Sequence, residues 1–314
     1  MNENDSRFVA LTGYMQSHDM KLDATYQEIC KMMDMENYID YMLSEIYFGN
    51  YDWPHNNIKM WRKKTNGIWR WILYDTDFGF GLYDTNLHNV NSLAKALGDN
   101  GTQFPWSTLI FSKLIQNPTF VNRFVDRSSI HLSTTFDKTR ISTILDRKKK
   151  KIRTEIPFHK AKWGSSRDFD SDLNLMKNFA NIRSSNMYNF IGSRLLNATA
   201  TANVQMSSNL KNASYSMNGE HIQDVNAKFR TYTNRNLKFT PNPIKGYDFL
   251  YWEVAGGSQQ DTIIKMGSTW KYYDGNAIPA TNWYSADYSD QLWNSGPAQL
   301  GYGNKGESTT IGYG

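Results

Sequence analysis

The sequence predicts an α+β chain: a mainly helical amino-terminal part interrupted by one β-hairpin, followed by all-β segments of sandwich or jelly-roll type. Three observations predict it. Apolar residues recur at helical spacing on both sides of residues 50–81, and between those helical stretches the period drops to that of strands around an Asn-Gly pair. Beyond Asn197 the composition shifts to Asn, Ser, Gly, Thr and Tyr in short alternating runs. At 314 residues the chain exceeds one ordinary domain, so at least two are expected.

Residues 7–48 read as helical. Asp34 suits an N-cap and Glu36 the first turn, where a carboxylate favours the positive helix end. Tyr38, Met42, Ile46 and Tyr47 then form a one-sided stripe, and Gly49 suits the C-cap. Ile58, Met60 and the run from Ile68 to Tyr74 read as strands joined through Thr65-Asn66-Gly67. From 105 to 196 the helical period returns. Leu109, Leu114, Phe120 and Phe124 mark one stretch, and Leu175, Phe179, Ile182 and Phe190 another, with Asp170 or Asp172 as its N-cap. Ala198-Thr199-Ala200-Thr201-Ala202-Asn203 reads as a small-residue linker, which places a domain boundary near 197–205. Strand signatures follow at Lys238-Phe239-Thr240 and over Tyr247–Trp252. The expected divisions are 1–197, 204–256 and 257–314.

Composition excludes several classes of function. Cys30 is the sole cysteine, so neither a disulfide framework nor a thiolate metal cluster is available. The six His residues contain no i,i+4 pair and no His-x-His, which disfavours a His-based zinc site. No stretch approaches eighteen consecutive apolar residues, so no transmembrane segment is expected. The polar, acidic opening Met1–Asp5 does not read as a secretory leader. Much of the net charge of +5 lies in Arg147–Lys151 and Arg153. No nucleic-acid motif accompanies that run, so it reads as a solvated helix face and no nucleic-acid partner is expected. Aromatic residues make up 14% of the chain, which suits either β-rich cores or surfaces that stack on sugars.

Two acidic clusters flank the predicted hairpin: Asn50–Asn57, containing Asp52, and Tyr74–Gly81, containing Asp75 and Asp77. Phosphoryl transfer asks a protein for a carboxylate that orients and deprotonates the accepting hydroxyl. It also needs oxygen ligands holding a divalent cation against the nucleotide phosphates. Kinases place a base Asp and a metal-binding Asn five positions apart, then a metal-binding Asp after a hairpin. Asp52 and Asn57 are five apart, and Asp75 and Asp77 follow the hairpin. The residues alone leave two readings open, a phosphotransfer site or a pair of turn-forming structural loops.

The stretch Ile46–Trp53 through Asn56-Asn57, then Trp61, Gly67-Ile68-Trp69 and Tyr74–Gly81, closely resembles the spore-coat CotH kinase family. Asn117–Phe124, the region of Trp163, and Phe179–Arg183 resemble that family's downstream helices, so the likeness spans about residues 25–196. The resemblance implies the carboxyl-terminal lobe of an atypical serine/threonine kinase using ATP and Mg²⁺ (or Mn²⁺ or Ca²⁺). By position it makes Asp52 the catalytic carboxylate, Asn57 and Asp75 the nucleotide–metal ligands, and Asp77 an alternative or partner to Asp75. Asp75 is preferred because it follows the apolar run Ile72-Leu73-Tyr74 directly, and a strand end holds a ligand rigidly.

The departure from that pattern is upstream. Only about fifty residues precede Asp52, and they contain no strand of Val-Ala-Ile-Lys type; Lys21 and Lys31 sit in turn or helical context. The expectation is that an amino-terminal lobe is missing, together with any leader that would accompany it. Beyond residue 204, Phe239-Thr240 with Gly246–Trp252, and then Gly267–Tyr273, Trp283, Trp293 and Leu300–Gly303, resemble β modules attached to secreted bacterial CotH proteins. These resemblances imply a secreted or cell-surface enzyme acting on Ser/Thr of a protein, with carbohydrate contact through the β modules. The rivals are a non-catalytic surface scaffold and transfer of AMP.

Overall fold

A computed structural model describes residues 5–99, 101, 105–208, 210, 213–222, 226–253, 267–275, 279, 282–283, 285, 288–303 and 306–312. Three helices precede the first acidic cluster: α1 (Ser6–Ser17), α2 (Asp23–Met32) and α3 (Met35–Phe48). Asp34 caps α3 by accepting from Asn37 N at 3.1 Å. The predicted stripe Tyr38, Met42, Ile46 and Tyr47 is buried, which makes α3 the spine of the main core. Gly49 ends the helix in the left-handed region at φ +63°, and a Cβ there would lie 3.1 Å from the Leu87 side chain. Both constraints favour glycine.

The hairpin consists of β1 (Lys59–Trp61) and β2 (Arg70–Ile72), antiparallel, with Met60 opposite Trp71. It is shorter than the alternation over Ile68–Tyr74 predicts. Trp69 gives its backbone bonds elsewhere: its N–H donates to Met32 O at 3.0 Å and its carbonyl accepts from Asp34 N at 2.8 Å. Asn37 holds the next strand residue from the other side. Its Oδ1 accepts from Trp71 N and its Nδ2 donates to Trp71 O. Three residues of the α2–α3 segment, Met32, Asp34 and Asn37, thus fix the hairpin against the helical core.

The remaining helices are α4 (Ser92–Leu97), α5 (Pro105–Leu114), α6 (Pro118–Ser133), α7 (Lys138–Ile152), α8 (Ile156–Trp163) and α9 (Phe169–Ile191). Asp168, not Asp170 or Asp172, caps α9 by accepting from Ser171 N at 2.8 Å. The two expected caps lie inside the first turn, pairing with Lys149 and Arg153 and with Arg167. A cap must sit one residue outside the helix to reach the N3 amide; inside, a carboxylate acts only through the dipole. The basic run lies on α7, whose buried residue is Ile141.

After α9 the chain forms five antiparallel strands. These are β3 (Thr201–Gln205), β4 (Ser214–Met217), β5 (Glu220–Ile222), β6 (Lys228–Tyr232) and β7 (Phe239–Asn242). β3 pairs with β6, and the other three form a sheet of order β5-β4-β7. Ile130 of α6 packs into the core that Tyr215, Met217, Ile222 and Phe229 make. Residues Met1–Phe249 form one compact unit. The stretch expected as a linker is strand from Thr201 onward, while Tyr247–Trp252 forms no strand. Alternation supplies a face but not a ladder partner, and strand pairing requires both.

Residues Leu250–Gly314 form a second unit. In it β8 (Thr269–Tyr272) pairs with β9 (Asn294–Pro297), and β10 (Leu300–Gly301) with β11 (Thr309–Thr310). Its described residues bury no hydrophobic side chain, whereas a sandwich needs a core between two sheets. The division expected at 256–257 falls outside the described residues. None of the described helices is long and apolar enough to cross a membrane.

Candidate active site

The two acidic loops meet where α3 ends, and backbone bonds join them directly. Tyr51 N donates to Phe78 O at 3.2 Å, and Phe80 N donates to Phe48 O at 3.0 Å. Gly79 permits this approach, since a Cβ there would sit 3.0 Å from Phe48 Cβ and 3.1 Å from Phe48 O. Trp53 anchors the first loop: it is buried, and its Nε1 donates to the Tyr41 hydroxyl of α3 at 2.8 Å. With Trp53 turned inward, its neighbour Asp52 is held at the surface, half-buried.

Asp52 is gripped by its own loop. Its Oδ2 accepts from Asn56 Nδ2 at 2.8 Å and from Asn57 Nδ2 at 3.1 Å, and His55 Nε2 lies 3.3 Å from Oδ1. The buried amide of Asn57 also donates to Asp75 O at 3.4 Å, and Asn50 Nδ2 reaches the same carbonyl at 3.3 Å. Asn57 therefore touches two of the other predicted site residues, Asp52 and Asp75. Asn57 and Asp75 both adopt left-handed backbone, at φ +56° and +53°. Asn and Asp tolerate that conformation better than other non-glycine residues, and such strain concentrates at functional sites.

β2 ends at Ile72, so Asp75 follows the strand by three residues and is held by these two amides instead of by the ladder. Its carboxyl is exposed and faces others of its own sign. Partial desolvation, a hydrogen bond shared with Asp77, and the charges of Asp77 and Asp52 raise it above the usual carboxylate range, against a smaller opposing pull from Lys59. A carboxyl crowded in this way by two others is poised for a cation.

Behind the loops lies a polar layer. Glu45 of α3 is fully buried; its Oε2 accepts from Asn50 Nδ2 at 3.0 Å, while Oε1 has no partner. Burial pushes this carboxyl up to about 7, against weaker pulls from Asn50 and Lys95. Lys95 of α4 donates to Tyr51 O at 2.8 Å. Burial lowers its ammonium, opposed by the charges of Asp52 and Glu45. Arg183 of α9 closes the layer. Fully buried, it donates to Ile46 O and Tyr47 O at the end of α3, to Leu87 O, His88 O and Val90 O, and to Ser92 Oγ. It thereby satisfies carbonyls that a helix end leaves free.

Sequence reasoning assigned no role to Glu45, Asn50, Lys95 or Arg183. For Glu45 a signal existed: it lies four residues after Tyr41 and seven after Tyr38, so a carboxylate falls on the buried face. Arg183 stands four residues after Phe179 and shares its face. Lys95 had no signal, because its contact with the site depends on tertiary placement alone.

The donor set suits a hard divalent cation. Such ions take oxygen ligands, and in phosphotransfer sites they bind through one or two carboxylates, with phosphates and waters completing the shell. Asp75 and Asp77 supply carboxylates, and Asn57, whose Nδ2 is engaged with Asp52 and Asp75 O, has its Oδ1 to offer. Among the described residues no group of three or more His, Cys, Asp or Glu is placed to hold a metal without such help.

A family model described as CotH kinase protein matches residues 2–187, which include both loops and every polar residue behind them. Neither a curated protein nor a solved structure matches the chain.

Proposed function

The chain belongs to the CotH kinase family, and on that premise we propose that it transfers the γ-phosphoryl group of ATP to a Ser or Thr hydroxyl of a protein. Asp52 receives the hydroxyl proton. Its Oδ2 is fixed by Asn56 and Asn57, and its Oδ1 stands beside His55, so the carboxylate is oriented before substrate arrives. The acceptor oxygen forms its bond to phosphorus as the bond to ADP breaks, and ADP carries away the leaving electron pair. Asn57 and Asp75, with Asp77 beside them, would hold Mg²⁺ or a similar ion, which when bound offsets phosphate charge. Lys95, poised behind Tyr51, adds positive potential on the Asp52 side.

The observation that carries this reading is the direct linkage of Asp52, Asn57 and Asp75 across two loops in the order phosphoryl transfer requires. A structural loop pair would need the backbone bonds but not three carboxylates gathered beside them, none of which has an arginine or lysine ion pair among the described residues. Intact-mass analysis of an acceptor protein incubated with the chain, ATP and Mg²⁺ tests it. A gain of one phosphoryl group is expected. A gain of one adenylyl group would redirect the chemistry to AMP transfer, and no gain with any divalent ion would leave a binding scaffold.

We place the substrate on the cell surface or in secreted material, a reading supported by the Asn-, Thr- and aromatic-rich carboxyl-terminal strands. Fractionation of the source cells with an antibody to this chain tests it, and confinement to the cytosol would contradict it.

A further inference from the structure

At the far end of the β1–β2 hairpin from Asp75 lies a concavity of about 540 Å³, walled by α1, the end of α2 and the hairpin turn. Four cations line it: Arg7, Lys31, Arg62 and Lys64. Ala10, Met32, Ile68 and Trp69 give it an apolar wall, and Thr65-Asn66-Gly67 forms its polar lip. The carboxylates paired with these cations are Glu28, 2.6 Å from Lys31, and Asp5, a loose 3.6 Å from Arg62. Among the described residues, two positive charges are thus left without a paired carboxylate.

Arg62 makes the excess costly to the protein. Its side chain is only 11% exposed, and its Nε is buried without a hydrogen-bond partner. Its Nη1 is occupied with Lys63 O and Lys64 O, and Arg7 Nη1 donates to Lys64 O at 2.8 Å. The two guanidiniums therefore shape the turn through neutral carbonyls, which carry no charge to offset theirs. A buried cation with one distant acid favours an anion drawn in beside it.

We propose that this concavity binds a phosphoryl dianion carried on a protein side chain. A dianion matches the uncompensated charge, where a carboxylate would leave half of it. Arginine and lysine together form the usual phosphate-binding set. Ala10, Met32 and Ile68 offer an apolar wall to the chain that bears the phosphate, which a free ion would leave unused. Phosphorylated side chains are the product of the reaction proposed above, so the source of the ligand rests on that reading, whereas the binding site does not. The effect would be to retain a substrate already phosphorylated once while another hydroxyl reaches Asp52.

The test is fluorescence anisotropy of a labelled phosphoserine peptide and its unphosphorylated twin on the full chain, without ATP or metal. The phosphopeptide should bind at least about tenfold more tightly than its twin, as charge-assisted recognition requires. Lys31 and Lys64 are exposed, so the double variant Lys31→Glu/Lys64→Glu should fold normally, lose about tenfold or more in phosphopeptide affinity, and keep wild-type turnover on an unphosphorylated acceptor. Asp75→Ala should bind the phosphopeptide as wild type does, which separates this site from the catalytic loops. Equal binding of both peptides, or indifference to the charge reversal, overturns the proposal. Inorganic phosphate binding as tightly as the phosphopeptide overturns the assignment to a side chain. Absence of turnover in every variant would count against the kinase reading and leave the binding result standing.

Discussion

Two acidic regions of the helical core handle charge in opposite ways. Around Asp40, on the outer face of α3, every carboxylate has a cation. Arg127 grips Asp40 with two bonds of 2.6 and 2.8 Å and reaches Glu220 at 2.7 Å, Arg123 reaches the same Glu220 at 2.9 Å, and His131 adds 3.0 Å to Asp40. Burial works against the Asp40 anion, but the hydrogen bonds from Arg127 and His131 hold its carboxyl down to about 2. Past the end of the same helix, Asp75 faces Asp77 and Asp52 and is pushed the other way. One helix thus carries a closed network that joins it to the strands and leads into an open site whose carboxylates, among the described residues, have no arginine or lysine ion pair. A protein that only needed these loops as turns would have closed the second region like the first.

The comparison breaks most visibly at the open site. Asp52→Asn keeps the size and the amide contacts of the side chain but removes the proton acceptor. Phosphoryl transfer should fall by about a thousandfold or more while metal-dependent ATP binding survives. Radiolabel transfer alongside a binding titration reads both, and undiminished transfer would remove Asp52 from the mechanism.

Arg183→Ala should be the most damaging structural change. It leaves several buried carbonyls unsatisfied at the end of α3 and beneath α4, with an expected loss of about 3–4 kcal/mol in urea unfolding. A near-neutral result would mean that water replaces the guanidinium and that the loops do not depend on it. Arg127→Ala opens the closed network. Glu220, almost fully buried, retains Arg123, so a loss of about 2–3 kcal/mol is expected, with ATP binding unchanged. Loss of ATP binding in that folded variant would show the two regions to be coupled.

Glu45 gives the smallest and most specific effect. Its folded-state carboxyl is raised to about 7, so between its ordinary value and 7 the native state holds a proton that the unfolded chain has released. Stability then falls as pH rises through that window. Glu45→Gln retains an acceptor for Asn50 and removes the dependence. Without nucleotide or metal, the variant should match wild type near pH 4 and exceed it above pH 7 by on the order of 2 kcal/mol. Parallel pH profiles would place the buried carboxyl's titration elsewhere.

Much of this was legible in the sequence, for reasons that differ by element. The Asp34 cap, the α3 stripe and Gly49 are local and were read correctly. Family membership was readable from the two loops and the helices behind them. The cap of α9 was misplaced by two to four residues because three Asp lie within five positions and only geometry distinguishes cap from first turn. The run Tyr247–Trp252, expected as a strand, belongs to no strand of the described residues, because alternation alone does not make a ladder. Glu45 and Arg183 could be read as lying on buried helix faces but not matched to their partners, and Lys95 escaped altogether because a tertiary contact defines it. Lys95 reaches the site from 44 residues beyond Tyr51, and Arg183 meets α3 from 136 beyond Tyr47.

The central claim is that the open carboxylates are there to receive a cation with its nucleotide. Isothermal titration of ATP into the chain, with and without Mg²⁺ and with Asp75→Ala and Asp77→Ala in parallel, addresses it most directly. The account predicts binding that requires the metal, is lost in Asp75→Ala and is weakened less in Asp77→Ala. Binding that ignores Mg²⁺, or that survives intact in Asp75→Ala, would contradict it.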